Sequence, residues 1–149
     1  MPAILVTAAL IPLAALAGHW RCEGRLVASG RPVRSELAMA IDPATGVLVV
    51  HHDDSAPLPY HSIELWSGEP SDDAITAVVV DAFSGVRTFR ATPGEDGVIT
   101  LARPSPQDPR EQFRYALKST DDMTIEWSVA PAGHALQLGD SLECRRDPR

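Results

Sequence analysis

Proline and glycine interrupt this chain at short intervals along its whole length. The 149 residues include 13 prolines and 10 glycines, and both residue types break helices, since proline lacks the amide donor and glycine keeps too much backbone freedom. A helical bundle would be interrupted at nearly every turn. The segments between the breakers are short runs of alternating or continuous apolar character, which is the pattern of β-strands. The sequence therefore predicts an all-β domain.

The clearest alternation sets one face of residues 33–41 against the other; the first face carries Val33, Ser35, Leu37, Met39 and Ile41, and the second carries Arg34, Glu36, Ala38 and Ala40. Such a period of two is typical of a strand with one buried face. The same criteria applied along the chain predict ten strands, over residues 19–27, 33–41, 47–52, 60–66, 74–81, 86–91, 98–102, 111–118, 123–129 and 138–145.

The connections between these strands are too short for crossover helices, so neighbouring strands should pair antiparallel as an up-and-down meander. A meander of this length leaves exposed edges unless the sheet closes on itself. The predicted fold is a single up-and-down antiparallel β-barrel of about 8 to 10 strands.

Charge and composition exclude several classes of partner. The chain carries 13 basic and 20 acidic side chains, for a net charge of -7, so nucleic acids and anionic membrane surfaces are poor partners. Its hydrophobic content of 44% is sufficient for a folded core and argues against disorder. The chain length predicts one domain, as a monomer or homodimer.

Residues 1–17 form an apolar segment without charged side chains. It is too short to span a bilayer, which takes about 20 residues. Ala15 and Ala17 flank Leu16 in the small-x-small form of a signal-peptidase site, but no basic residue precedes the apolar run. Two interpretations remain: a cleaved leader of an exported, periplasmic or extracellular protein, or a short N-terminal helix that covers one end of a cytoplasmic protein. The barrel domain covers residues 18–149.

The two cysteines, Cys22 and Cys144, lie in the first and the last predicted strand. Barrel closure makes these strands neighbours, and directly opposed residues of an antiparallel pair are close enough for a disulfide. The same register places Trp20 opposite Arg146, where an indole and a guanidinium can stack. The alternatives are two buried free thiols and a frayed terminal arginine.

Gly18 and Trp20 before the first strand, with Arg146 in the last, resemble the Gly-x-Trp motif and closing arginine of lipocalins and the wider calycin barrels. Residues 16–24 and 138–146, with parts of the middle, are similar to a family of bacterial lipocalin-like proteins, many of them exported. The similarity spans about residues 16–146. The resemblance implies a calycin-type barrel and implies no particular activity or ligand.

Nitrobindin-like barrels share the Gly-x-Trp start and ten strands, and they bind haem through a histidine near the C-terminus. His134 is the one histidine in that region here, but it follows Pro131 and Gly133 in a turn pattern. An axial ligand should be held rigidly at a pocket. The sequence therefore predicts no cofactor, haem included.

His51, His52, Asp53, Asp54 and His61 form the densest group of potential metal ligands. Adjacent strand residues point to opposite faces, so His51 and His52 cannot both bind one ion from a regular strand. We interpret them as two solvated histidines ahead of an acidic turn, and we predict no metal site.

The candidates for lining a cavity are aromatic residues and a potential ion pair. If the face of Tyr60 and Trp66 points inward, Glu64 becomes a carboxylate inside the barrel, which needs a partner or a raised pKa. Arg90 is a potential partner, although both charges can instead point to solvent. The predicted lumen residues are Tyr60, Glu64, Trp66, Phe89, Arg90 and Trp127.

The sequence thus favours a lipocalin-like barrel that binds a small apolar or amphipathic molecule in its lumen. The first alternative is a small barrel enzyme, an isomerase or cyclase using Glu64 and Arg90. The second is a structural or interaction domain with a dry core. No nucleophile elbow and no phosphate-binding loop are present, so we predict no catalytic residues.

Overall fold

Alternating side chains give each strand one face for a core and one for solvent, and a computed structural model of the chain shows how these faces are arranged. It describes residues 12–69, 74–91, 96–103, 110–130 and 133–148. A 3-10 helix, Leu13–Leu16, precedes ten strands. The strands are β1 (Gly18–Leu26), β2 (Pro32–Ile41), β3 (Leu48–Ala56), β4 (Tyr60–Glu69), β5 (Ala74–Asp81), β6 (Gly85–Ala91), β7 (Val98–Ala102), β8 (Arg110–Leu117), β9 (Asp122–Ala130) and β10 (Gln137–Asp147).

Each strand pairs antiparallel with the next along the chain, and β1 pairs with β10 to close a barrel. This arrangement confirms the predicted up-and-down fold. Within the described ranges, no helix is both long and apolar enough to cross a membrane.

The seam between β1 and β10 has the register predicted from the cysteines. Cys22 lies opposite Cys144 and Trp20 opposite Arg146. The two cysteines form a disulfide, with their Cα atoms 4.0 Å apart. The predicted disulfide is therefore confirmed in the structure.

Arg146 stacks on the indole of Trp20, with its guanidinium carbon 4.2 Å from the ring centroid. Its Nη2 donates to the Ala15 carbonyl at 3.0 Å, and its Nη1 donates to the Ala17 carbonyl. The prediction of a stacked Trp20 and Arg146 is confirmed, and Arg146 also attaches the 3-10 helix to the seam.

Gly18 makes this attachment sterically possible. Its φ is +136°, a left-handed value that L side chains rarely adopt, and an added Cβ would collide with the Arg146 guanidinium. The Trp20 indole nitrogen donates to the Leu16 carbonyl at 2.9 Å, and Leu16 is fully buried. The 3-10 helix thus covers one end of the barrel. Residues 1–11 of the predicted leader or helix lie outside the described residues.

The interior is filled unevenly along the barrel axis. The half next to the 3-10 helix contains the bulkiest buried side chains, including Trp20, Trp66 and Phe89, each at most 1% exposed. The opposite half surrounds an open cavity. The predicted end of β3 is wrong: the strand extends to Ala56 instead of ending at residue 52, so Asp53 and Asp54 belong to a strand and not to a turn.

We predict that the double variant Cys22→Ala/Cys144→Ala is strongly destabilised, because the disulfide joins residues 122 positions apart. In the chain-entropy model, the loss of unfolding free energy is about 5 kcal/mol. Urea unfolding of the oxidised wild type and the variant measures it, with wild type in reductant as the control that should match the variant. Two free thiols in native protein, or equal unfolding free energies, would contradict the prediction.

Candidate functional site

The open half of the barrel encloses a cavity of about 370 Å³. Its mouth lies between the β3–β4 connection and the β5–β6 turn, where Leu58 and Phe83 are exposed. Apolar side chains form most of the wall. They are Leu26, Val33, Val79, Phe113, Ile125 and Leu142.

One group of polar side chains in the cavity is centred on His52, which lies on β3. The imidazole Nε2 is 2.8 Å from Asp54 Oδ1, and its Nδ1 is 4.0 Å from Glu64 Oε1. Burial disfavours the charged imidazole, but the hydrogen bond to Asp54 and the nearby carboxylates outweigh it and raise the pKa of His52. We call the side chains of His52, Asp54, Glu64 and Asp140 the His52 cluster.

Glu64 lies at the floor of the cavity and is 5% exposed. Its Oε2 accepts a 2.8 Å hydrogen bond from the Trp66 indole, and its Oε1 accepts one from Ser62. Burial raises the pKa of the Glu64 carboxyl, although the charge of His52 and these hydrogen bonds oppose the rise. The carboxyl is therefore held in one position while it retains a tendency to be protonated.

Asp140 brings a third carboxyl to the His52 cluster, from β10. The register between β9 and β10 shifts between Leu138 and Asp140, which places Asp140 opposite Trp127. Burial, with the negative charge of Asp54, raises the pKa of Asp140 to about 6, against the opposing effects of His52 and the Trp127 amide. Asp140 consequently changes charge within the physiological pH range.

A second polar group surrounds Arg87 on β6. Arg87 Nη2 donates to Asp81 Oδ2 at 2.7 Å, and Nη1 donates to Glu111 Oε2 at 2.6 Å. Glu111 also accepts a 2.9 Å hydrogen bond from the Trp127 indole. We call Asp81, Arg87 and Glu111 the Arg87 cluster; in it, each buried carboxylate is paired with the guanidinium.

Tyr60 lies between the two clusters. Its hydroxyl donates to Asp81 Oδ2 at 2.9 Å and accepts from Arg87 Nη2 at 3.1 Å, and its ring packs edge-on against the His52 imidazole. Burial, with the hydrogen bond to Asp81, raises the pKa of Tyr60 to about 12, so the phenol stays protonated.

Asp81 also accepts backbone hydrogen bonds from Phe83 and Ser84, at 2.7 and 2.6 Å. Asp81 is thus the side-chain acceptor of the β5–β6 turn. Burial favours the neutral acid, but these bonds, with those of Tyr60 and Arg87, lower the pKa of Asp81. Its carboxylate is thus a fixed anion at the cavity mouth.

Five of the six predicted lumen residues lie inside the barrel, in two groups, and Arg90 does not. Tyr60, Glu64 and Trp127 line the cavity. Trp66 and Phe89 are completely buried in the filled half, where they support the cavity wall through ring contacts with Tyr115 and Phe113.

The placement of Arg90 inside the barrel is wrong. Arg90 is exposed on the outer face, while its strand neighbours Arg87 and Phe89 are buried. Successive residues of a strand face opposite sides, so the buried phenyl ring of Phe89 directs Arg87 inward and Arg90 outward. The proposed pair of Glu64 and Arg90 does not form, and the enzyme hypothesis built on it loses its site.

The histidines considered as metal ligands are separated by the wall of the barrel. His51 and His61 are exposed on the outside, where His61 contacts Asp53, while His52 and Asp54 face inward. No described group of three or more potential ligand side chains is arranged to hold a metal ion. His134 is exposed in the β9–β10 connection.

Sequence reasoning missed five charged or titratable residues of the cavity. The interpretation of His52 as a solvated histidine and of Asp54 as a turn residue is wrong, and no interior role is predicted for Arg87, Glu111 or Asp140. The alternation of side chains along β10 could have identified Asp140, because Asp140 and Leu142 share the face of the buried Cys144.

Comparisons with known proteins show the fold and no family. No protein-family model matches the chain, and no curated protein is detectably similar to it. A protein of unknown function from the DUF3598 family of Nostoc punctiforme superposes with a TM-score of 0.64 at 13% identity over 93% of this chain. This chain spans 50% of the length of the Nostoc protein.

The S-type phycobiliprotein lyase of Guillardia theta superposes with a TM-score of 0.59 at 12% identity, covering 92% of this chain and 91% of the lyase. At these identities the likeness concerns the fold alone. The closed ten-stranded barrel fits the calycin-type fold predicted from the sequence, while membership of the bacterial lipocalin-like family stays a prediction.

We predict that Arg87→Leu is severely destabilising and that Arg90→Leu on the same strand is nearly neutral. The first change leaves the buried Asp81 without its cation and Glu111 with only the more distant Arg103, which costs about 3 kcal/mol or more. The second alters an exposed side chain and costs at most about 0.5 kcal/mol. Urea unfolding of both variants measures the difference. Equal losses of unfolding free energy would contradict the inward placement of Arg87.

We predict that Asp140→Asn stabilises the barrel at about pH 8 and has no effect at about pH 4. The folded-state pKa of Asp140 is raised from 3.8 to about 6, so the ionised carboxylate destabilises the fold above that pH, and asparagine removes this penalty. The gain is on the order of 1 kcal/mol, because solvent still reaches the carboxylate. Denaturant midpoints at the two pH values measure it, and a gain that is independent of pH would contradict the assignment.

Proposed function

We propose that this barrel binds one small amphipathic molecule in its cavity without transforming it chemically. The supporting observation is the cavity itself: about 370 Å³ enclosed by apolar walls, with two clusters of buried polar side chains inside. Ligand pockets typically enclose about 300 to 1,000 Å³ and combine apolar walls with a few fixed polar groups. A dry interaction domain would instead fill this half of the barrel, as the aromatic core fills the other.

The geometry assigns separate roles to the walls and to the polar clusters. Val79 on β5 lies opposite Glu64 on β4 and opposite Arg87 on β6, so an apolar strip separates the two clusters. An apolar body can pack along this strip while its polar end hydrogen-bonds at one cluster. Exposed Leu58 and Phe83 at the mouth provide an apolar entrance.

The buried disulfide supports a further part of the proposal, namely that the protein works in an oxidising compartment. Structural disulfides persist in exported proteins and are rare in the reducing cytosol. Cys22 and Cys144 are 1% and 2% exposed, which protects the bond from reductants. The disulfide alone supports this part of the proposal, because Leu13–Leu16 packs on the end of the barrel and a leader cleaved after Ala17 would remove it.

We predict that Val79→Phe weakens binding of a neutral apolar probe, N-phenyl-1-naphthylamine, by about tenfold or more. The larger ring occupies the space between the two clusters. Val80→Phe is the matched control, because Val80 is the next residue on β5 and is exposed on the outer face. Fluorescence titration measures the affinity, and circular dichroism verifies that both variants are folded. A wild-type barrel that does not bind the probe, or a folded Val79→Phe variant of undiminished affinity, would contradict the proposal.

A further inference from the structure

The two polar clusters of the cavity differ in their balance of charge. In the Arg87 cluster, two carboxylates face the Arg87 guanidinium, and Arg103 Nη1 lies 4.0 Å from Glu111 Oε1. Two cations thus accompany two anions. In the His52 cluster, the three carboxyl groups of Asp54, Glu64 and Asp140 accompany a single imidazole.

We propose that the His52 cluster is the binding site for the positively charged head of the ligand, a protonated or quaternary nitrogen attached to an apolar body. This inference rests on the proposed function, because it names the chemical class of the molecule in the same cavity. The apolar body would lie along Val79 and the neighbouring wall, and the head would approach Glu64 and Asp140. An anionic head would be repelled by the same carboxylates.

One unpartnered polar group inside the cavity provides support that is independent of the carboxylates. Tyr115 is 2% exposed and lines the cavity, and no hydrogen bond of the described residues involves its hydroxyl. Polar side chains buried this deeply are almost always hydrogen-bonded, so the Tyr115 hydroxyl indicates that a polar ligand atom belongs beside it. The unpartnered Nε–H of Arg87 belongs to the other cluster and can only donate, so it has no part in binding a cation.

The position of Tyr115 favours a cationic group at this place. Burial, together with the negative charges of Glu64 and Asp140, raises the pKa of the Tyr115 phenol well above its usual range. Its hydroxyl oxygen therefore remains neutral and has lone pairs that can accept a hydrogen bond from a nitrogen cation. A ligand nitrogen there would interact with the phenol and the carboxyl groups together.

Without a bound ligand, protons instead of a cation partly neutralise the carboxyl groups of the His52 cluster. Burial, with the negative charge of Asp54, keeps Asp140 partly protonated near pH 6, and burial also raises the pKa of Glu64. A bound cation stabilises both carboxylates and so releases protons. Affinity for a cation of fixed charge should therefore fall as the pH decreases through about 6. The charged and titratable groups that line the cavity with Asp140 are His52 and Asp54 on β3, Tyr60 and Glu64 on β4, Arg87 on β6, and Glu111 and Tyr115 on β8.

Three molecules that share a decyl chain test the charge of the head directly: decyltrimethylammonium, decanol and decyl sulfate. Each is titrated below its micellar concentration into wild-type barrel loaded with N-phenyl-1-naphthylamine, at about pH 7.5 and about pH 5. We expect decyltrimethylammonium to displace the probe at about tenfold lower concentration than decyl sulfate at the higher pH. We expect this preference to shrink several-fold at the lower pH, where Asp140 is protonated.

Asp140→Asn should reduce the preference for decyltrimethylammonium over decyl sulfate at about pH 7.5 to the value that the wild type shows at about pH 5. Asp53→Asn is the matched control, since Asp53 lies next to Asp54 but is exposed on the outer face, and it should leave the preference unchanged. Tighter or equal binding of decanol or decyl sulfate, or a preference unaffected by Asp140→Asn, would overturn the cationic assignment and leave the proposed function standing. Failure of the wild type to bind the probe would instead overturn the proposed function.

Discussion

Closure of the sheet between β1 and β10 is the constraint on which the rest of the structure depends. Without it, both strands would be exposed edges, and the apolar inner faces would not enclose a volume. The Cys22–Cys144 disulfide fixes the register, and the stacking of Arg146 on Trp20 lies two residues away in the same strand pair. Because Arg146 also binds carbonyl groups of the segment before β1, one side chain contributes both to the seam and to the cover of the filled end.

The division of the interior follows from where the sequence places its bulky residues. Trp20, Trp66 and Phe89 occupy the half near the 3-10 helix and exclude ligand-sized space there. Towards the mouth, many inward positions carry smaller apolar side chains or charged ones, and the rings of Phe113 and Trp127 line the cavity without filling it. Glu64 connects the two halves, since its carboxylate faces the cavity and accepts a hydrogen bond from the buried Trp66 indole. The aromatic core therefore positions the deepest polar group of the site as well as stabilising the fold.

The sequence predicted the barrel and its closing register more accurately than the polar interior, and particular residues show why. Two cysteines in the terminal strands determine the register by simple counting, whereas alternation alone leaves open which face of a strand is inward. The prediction places both Phe89 and Arg90 in the lumen, although adjacent residues of a strand point to opposite faces. Because the Phe89 ring is buried, Arg87 on the same face points inward and Arg90 points outward. Asp54 was assigned to a turn because aspartate favours turns, but its pairing with Tyr60 on β4 and Ser35 on β2 keeps it in the ladder. Charged side chains are usually exposed, so an alternation of apolar and polar residues does not predict which charged side chains are buried.

Stability alone does not explain the charged residues of the cavity. A buried ion-pair network such as the Arg87 cluster can often be replaced by apolar residues of similar volume without loss of stability. The His52 cluster is less favourable still, because burial raises the pKa values of Glu64 and Asp140 and their ionised forms destabilise the folded state. Groups with strongly perturbed pKa values in a cleft are concentrated at functional sites. The filled half of this barrel shows that its strands can pack an apolar core, so the polar residues of the other half are better explained by what the cavity binds than by what holds the barrel together.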